Sequence, residues 1–572
     1  MKNADKCDII SHNIVSKYIL KYMMGDILMK KSNKAVVHNV PDYATVKEIV
    51  VTGAEKGGDK RQYMFLDKNK MECERSFRQV WEEISAIGSF LYKKGLDGKK
   101  KIAIIGENCF EWMVVYYATL VGGNVTVPMD CKLPAEDLAD QLIRCDCDAL
   151  VYTDKFCGMV EDFKADSNMP EMKYFDISNE YEKYIEEGNE EIKAGKTAFF
   201  DADVKPEDLA CIAYTSGTTA KSKGVMLTHK NIASNCVAGC RAHTGGHAIG
   251  FLPLNHTYAW VSALFSSYIL TQWGYLCDGI GNIQGDLKKY QPYNFSGVPL
   301  VVETIYKRIW KTAKKTGRED ILKKGLKISN TLMKLGIDRR RKIFKTIIDN
   351  LGGNLNMIIC GGANLDPKYE KGMHDFGIEI YNGYGMTECS PAITCNRPGM
   401  CKFGSVGTPV DCCEIKINNP DEEGVGEIYV RGTNVMAGYY NDPEATAEVF
   451  DGEWLKTGDH GRIDEDGFLF IVGRKKNLIC LSNGKNVSPE ELEDKLSRID
   501  YVKEVLVYDE DNKIVAEFFL DEEEYPDARS RLKGDVDEFN RNMPLFKNIN
   551  KTKIRDEEFP KTTTLKIARN YK

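Results

Sequence analysis

Between residues 76 and 152 the apolar residues recur first at helical and then at strand spacing, and that alternation limits the architectures open to the chain. After Ser76, the residues Phe77, Val80, Trp81, Ile84, Ile87 and Leu91 fall on one helical face, and Lys94-Gly95 ends the run. A short apolar strand is predicted at 102–105, followed by a helix-length apolar run at 110–121 closed by Gly122-Gly123. A second strand at 124–127, Pro128, a further helical segment and a third strand at 149–152 continue the pattern. Strands alternating with helices build βαβ units around a largely parallel sheet, so the fold class is α/β.

At roughly 100–200 residues per domain, 572 residues imply at least two domains. The character changes near Gly473. The turn Asp464-Glu465-Asp466-Gly467 joins short strands, and a strand-like run follows at 478–481. Ser488 then suits a helix cap, Pro489 the first helical position, and Glu491 a capping box. The runs 502–508 and 514–520 predict a hairpin. This gives an extension over 1–40, a large domain of layered sheets and helices over 41–473, and a small α+β domain over 474–572. The segment 310–351 reads as long, helical and basic (Lys311, Lys314, Lys315, Arg339, Arg340, Arg341, Lys342). Such a run is usually a solvated face, and the alternative is attraction of a polyphosphate.

The net charge of −7 gives no general attraction to nucleic acid or anionic lipid, so an anionic ligand needs a local group of donors. Eighteen cysteines are scattered without repeating metal-ligand pairs, and eight histidines avoid the tight pairs Cys145/Cys147 and Cys412/Cys413. Reduced, mostly buried thiols in a cytoplasmic protein are expected. No apolar run reaches the ~20 residues that cross a bilayer, and no signal-peptide pattern is read at the N-terminus. Residues 9–29 are mildly amphipathic, which suits packing on the protein and leaves peripheral contact with the inner face of a membrane open.

The stretch 213–229, AYTSGTTAKSKGVMLTH, is the most informative. An apolar strand feeds a loop of hydroxyls and glycines with lysines close behind, the donors a polyphosphate needs. It is not a Walker A loop, because Val225, Met226 and Leu227 follow Gly224. Residues 381–390, YNGYGMTECS, hold an aromatic between glycines, then Thr387 and Glu388; Tyr384 suits a base and Glu388 suits Mg²⁺. Cys360-Gly361-Gly362-Ala363 is a second place where backbone can lie against a planar ligand. In WLKTGDHG, Asp459 can accept from ribose hydroxyls. Each feature alone also reads as an ordinary loop or turn.

In order and spacing, these segments resemble the adenylate-forming superfamily, together with GRKKNLICLSNGKNVSPEELE from 473 and the terminal PKTTTLKIAR. The resemblance runs from about Tyr43 to the end of the chain. FLPLNHTYAW at 251–260, GVPLVVETIYKRIW at 297–310 and the terminal TLKIAR are most similar to long-chain acyl-CoA synthetases, the fatty acid–CoA ligases. It implies ATP, Mg²⁺ and coenzyme A as the small molecules used, with a carboxylate substrate.

Carried over by resemblance, Thr215, Ser216, Gly217, Thr218, Thr219, Lys223 and Gly224 would wrap the β- and γ-phosphates. Gly361, Gly362, Ala363, Gly383, Tyr384 and Gly385 would hold adenine, Thr387 would contact the α-phosphate, and Glu388 the magnesium. Asp459 and Arg474 would bind ribose. Lys566 would bridge the attacking carboxylate and the α-phosphate, and Lys476 would mark a hinge about which the small domain turns. His256, Tyr258 and Trp260 line an acyl or pantetheine channel by resemblance, or pack in the core.

Two residues depart from the pattern: Ala220 stands where glycine is usual, and Ser222 where proline is usual. Alanine in a left-handed position costs about 1–2 kcal/mol, which would weaken ATP binding without abolishing it. Leu565 in place of glycine agrees with the long-chain form. The leading expectation is fatty acid activation to acyl-AMP and transfer to coenzyme A. An acyl carrier protein as acceptor, or a nucleotide- or acyl-binding protein without catalysis, are the alternatives.

Overall fold

The computed structural model describes residues 38–561, 567 and 569, apart from 216–221, 244, 262–265, 278–279, 482–485 and 511–512. The amphipathic stretch 9–29 therefore lies outside the described residues.

The alternation that opens the sequence becomes structure nearly in register. Helices Phe77–Lys93 and Phe110–Val121 separate the strands Lys101–Ile105, Val125–Pro128 and Ala149–Tyr152. Ser76 caps the first helix: its Oγ accepts from Gln79 N while the Gln79 side chain accepts from Ser76 N. Helix Phe110–Val121 is apolar on every side and buried at every residue but Glu111, as a helix between two sheets must be.

One of those sheets has seven strands among the described residues, ordered 438–439, 224–228, 209–214, 125–128, 101–105, 149–152 and 173–176. Its centre is parallel, and the hairpin Leu209–Tyr214/Gly224–Thr228 is antiparallel. A nine-stranded sheet is parallel through its middle and turns antiparallel at Glu379–Gly385/Ala392–Cys395. A five-stranded antiparallel sheet contains Trp454–Ile463 paired with Leu469–Arg474. All three share apolar residues in one main core.

The basic segment does not form one long helix. It divides into Pro299–Lys315, Glu319–Lys334, Arg340–Ile343 and Lys345–Asn350, with left-handed Gly317 and Gly336 at the first two breaks. Two of its cations are structural, which corrects the polyphosphate alternative for them. Arg340 is buried and pairs with Asp338 (2.8 Å) and Glu379 (3.0 Å), and Arg341 donates to the carbonyls of Leu355, Gly377 and Gly353.

The C-terminal region has its own core, built on helix Pro489–Leu496, the antiparallel strands Val502–Glu510 and Lys513–Leu520, a parallel strand Lys551–Arg555 and helix Ala528–Arg541. Only half of the expected capping box forms. Ser488 Oγ accepts from Glu491 N, but the Glu491 carboxylate turns to Lys495 (2.8 Å) and Lys547 (2.7 Å), two cations that outcompete one backbone amide. The sixteen cysteines whose side chains are described are free thiols, and no helix among the described residues is long and apolar enough to cross a membrane.

Candidate active site

Two turns and a strand pair, one from each of the three sheets, meet at one place. The first is the hairpin between Leu209–Tyr214 and Gly224–Thr228. Its neck is closed by Thr215 N donating to Lys223 O (3.1 Å) above the Tyr214–Gly224 pair. Ser216, Gly217, Thr218, Thr219 and Ala220 lie outside the described residues. The second is the end of Glu379–Gly385, where the GYG run reaches the short turn Thr387–Cys389. Gly385 is required sterically, since a Cβ there would lie 2.0 Å from Pro391 O. The third is the pair Asp459 and Arg474, directly opposite one another on adjacent strands.

Hydrogen bonds tie these turns together. Tyr384 Oη donates to Asp459 Oδ2 (2.7 Å), and Arg474 Nε lies 3.0 Å from Asp459 Oδ1. The buried Asp459 thus keeps one acceptor site free on each oxygen for a further donor. Burial and the Asp459 charge push the Tyr384 phenol well up, so it remains a hydrogen-bond donor. Glu388 is buried and accepts from Tyr439 Oη (2.9 Å), while Lys223 Nζ sits 4.8 Å over the Tyr439 ring. Burial raises the Glu388 carboxyl, opposed by its hydrogen bonds and by Arg474.

The donor set suits a metal that arrives with its ligand. Mg²⁺ takes one or two carboxylates and fills its octahedron with waters and phosphate oxygens. Glu388 supplies one such carboxylate beside a phosphate-type loop, and no cluster of three or more His, Cys, Asp or Glu gathers among the described residues.

Gly361, Gly362 and Ala363 follow strand Met357–Cys360, with Gly362 left-handed at φ +84°. A Cβ at Gly361 would stand 3.5 Å from the Tyr258 ring and 3.6 Å from Gly383 O, so the two glycine-bearing segments adjoin beside Tyr258. Tyr258 donates to Ile359 O (2.9 Å), and half-buried His256 precedes the short helix Thr257–Ala259. Trp260 is different. It is fully buried against Tyr116, ring centroids 5.5 Å apart, which favours the core-packing alternative for this residue.

Lys476 lies in the turn Lys475–Asn477, and partial burial with the neighbouring Arg474 charge lowers its ammonium. Lys566 lies outside the described residues. Of the described residues near it in the chain, Lys561 and Ile567 bridge, and Arg569 anchors on Glu493 and Val507 O.

Several positioning residues have no local signal in the sequence. Asn235 and Asn434 both donate to Ala392 O (2.8 Å each) and Cys389 O, holding the turn that carries Thr387 and Glu388. Ser222 is tied to helix Ala135–Cys145, about eighty residues upstream. Arg144 donates to Ser222 O (2.9 Å) and Gln141 to Ser222 Oγ (3.2 Å), with the Arg144 guanidinium 5.3 Å from the Tyr214 ring centre.

Residues 51–440 match the family described as AMP-binding enzyme, and residues 476–571 match the AMP-binding enzyme C-terminal domain. The chain belongs to the AMP-binding enzyme family. Within that family it is 30% identical over 535 residues to long-chain-fatty-acid–CoA ligase 1 of Cavia porcellus, covering 84% of this chain and 74% of that one. It is 29% identical over 467 residues to fatty acyl-CoA synthetase A of Dictyostelium discoideum, covering 76% and 69%. Among solved structures, the anthranilate CoA ligase AuaEII in complex with anthranoyl-AMP is similar at TM-score 0.75 and 21% identity, over 93% of this chain and 96% of that one. The o-succinylbenzoate coenzyme A synthetase of Bacillus subtilis with ATP and magnesium gives TM-score 0.70 at 22% identity, over 91% and 98%. At those identities the structures establish the fold: a large N-terminal α/β part and a small C-terminal part of the AMP-binding enzyme family.

Proposed function

We propose that the chain is an AMP-forming acyl-CoA synthetase that takes a medium- or long-chain fatty acid. The observation that carries this reading is the linkage of Tyr384, Asp459 and Arg474 beside the Glu388–Tyr439–Lys223 group. Tyr384 bonds Asp459, Asp459 pairs with Arg474, and Glu388 bonds the Tyr439 that Lys223 overlies, which supports roles for these groups toward base, ribose, metal and phosphate. Similarity to fatty-acid ligases supports the substrate class.

A carboxylate oxygen of the acid attacks the α-phosphorus of ATP; the bond to pyrophosphate breaks and acyl-AMP forms. Both partners are anions, so the barrier falls when fixed cations face the developing charge. Lys223 and the loop from Thr215 to Gly224 hold the β- and γ-phosphates, and Thr387 the α-phosphate. Glu388 would hold Mg²⁺, which supplies charge neutralisation between the phosphates. Tyr384, flanked by Gly383 and Gly385, meets adenine with Gly361 to Ala363 on its other side, and Asp459 and Arg474 take the ribose. Lys566 approaches the attacking carboxylate. The thiol of coenzyme A then attacks the acyl carbonyl and AMP leaves, with the small domain turning about Lys476 between the steps.

The test is carboxylate-dependent pyrophosphate release from Mg-ATP across fatty acids of increasing length, with and without coenzyme A. Stimulation by a fatty acid and faster turnover with coenzyme A support the reading. Release that ignores coenzyme A moves the acceptor to a carrier-protein phosphopantetheine. ATP binding with no release for any acid would mean a binding protein.

A further inference from the structure

Among the described residues, six of the ten exposed large hydrophobic side chains lie between residues 300 and 343. Three of them, Ile321 (68% exposed), Ile328 (58%) and Leu335 (70%), are spaced by seven residues. Ile321 and Ile328 lie on helix Glu319–Lys334 and Leu335 is its C-terminal cap, so seven-residue spacing, close to two turns, puts all three on one stripe. An adjoining face of this helix packs on the protein: Ser329 is buried, and Gly325 lies against the buried Phe344. Among the described residues, nothing covers this stripe.

Its flank is basic. Lys324, Lys327 and Lys334 are exposed and have no ion-pair partner among the described residues. Residues 311–342 hold twelve Lys and Arg against three Asp and Glu, in a chain whose net charge is −7. An apolar stripe bordered by lysines on a helix lying along a surface is the pattern that sinks shallowly into a headgroup layer, apolar side chains inward and ammoniums at the phosphates.

We propose that the outer face of helix Glu319–Lys334 docks the enzyme on an anionic lipid bilayer. The charge complementarity selects this occupant over a second copy of the chain. A symmetric pairing of the face with itself would set lysines against lysines. The chemistry of the substrate gives the docking a purpose, because long acyl chains reside in bilayers rather than in water. That purpose rests on the fatty-acid reading. The docking itself is read from vesicles and the substrate from the chain-length series, so the two fail separately.

The experiment is co-sedimentation of the full chain with phosphatidylcholine vesicles, with and without phosphatidylglycerol. Two triple variants are compared, Ile321→Ser/Ile328→Ser/Leu335→Ser and Lys324→Glu/Lys327→Glu/Lys334→Glu. The expected result is binding of the unaltered chain to the anionic vesicles, weakened by added salt, with each triple variant lowering the partition coefficient at least about tenfold. Pyrophosphate release with a short, water-soluble fatty acid stays within about twofold in both variants, which shows that they fold. The proposal is overturned if the unaltered chain ignores anionic vesicles, or if either triple variant binds them as before. It is also overturned if the serine variant abolishes self-association rather than vesicle binding, or if the face captures an acidic protein while vesicle binding is absent.

Discussion

Asp459 and Asp494 show how differently the two parts of the molecule are built around one crease. Asp459, on the large part, is buried between Tyr384 and Arg474, and its neighbour Glu388 is buried against Tyr439. Asp494, on the small part, pairs with the exposed Asn364. Around it Arg498 reaches the partly covered Asp366 (3.1 Å) and Lys368 lies 3.8 Å from Asp500, in pairs where Arg498, Lys368 and Asp500 stand in solvent while Asp366 and Asp494 are half-buried. Buried, multiply bonded groups are expensive to disturb, whereas exposed ion pairs contribute only ~0–1 kcal/mol each. The nucleotide side is thus preorganised, and the small part rests on it through contacts that separate at little cost. Steric fit sharpens the division: a Cβ at Gly473 would stand 2.2 Å from Ser488 Oγ, so the link between the parts is close but not apolar.

The comparison can be broken at several points. Lys566→Ala is expected to lower acyl-AMP formation by roughly 10²–10³-fold with thermal stability unchanged, because the proposed role of this lysine is to stabilise charge in the reaction. Asp459→Asn removes the charge that Tyr384 and Arg474 share. The Michaelis constant for ATP should rise about 10–100-fold and stability should fall by about 2–3 kcal/mol, read from kinetics and urea unfolding together.

Glu370 offers a test of stability by pH. It is fully buried, accepts from Gly404 N (2.9 Å), and its second oxygen has no hydrogen-bond partner among the described residues. Burial pushes its carboxyl up to about 7. A raised carboxylic acid holds its proton in the native state longer than in the unfolded one, so stability falls as pH rises from the unfolded value toward 7 and stays low above it. Glu370→Gln should therefore unfold at higher urea than the unaltered protein at pH 8, by about 1–3 kcal/mol, and lose that advantage at pH 5.

Smaller effects belong to the loop neck and the exposed interface. Arg144→Ala should raise the Michaelis constant for ATP about three- to tenfold with little change in kcat, and Ser222→Pro should reduce that effect if the clamp stands in for a stiff residue. Arg498→Ala should alter stability by less than about 1 kcal/mol. A large loss there would contradict the division drawn above.

Much of this was legible in the sequence. The βαβ run showed itself because strands and helices buried on all sides, such as Lys101–Ile105 and Phe110–Val121, must be apolar and end at glycines. The crease was legible because glycines, Tyr384, Glu388 and Asp459 fall in short motifs. The supports were not. Asn235, Asn434 and Arg144 act on backbone atoms far away in the chain, and an isolated polar residue gives no sign of which carbonyl it reaches. The basic segment was legible only in part for a related reason: charge shows that a cation is present, not whether it is spent inside the fold, as in Arg340, or left outside, as in Lys327.

The account rests on a two-step reaction through acyl-AMP, and rapid-quench analysis of a single turnover tests that most directly. With Mg-ATP and a fatty acid but no coenzyme A, acyl-AMP should accumulate in proportion to enzyme, and added coenzyme A should convert it to thioester and AMP. Lys566→Ala should fail to make acyl-AMP yet still convert acyl-AMP supplied to it. Release of ADP with an acyl phosphate, or thioester formation with no acyl-AMP before it, would contradict the account.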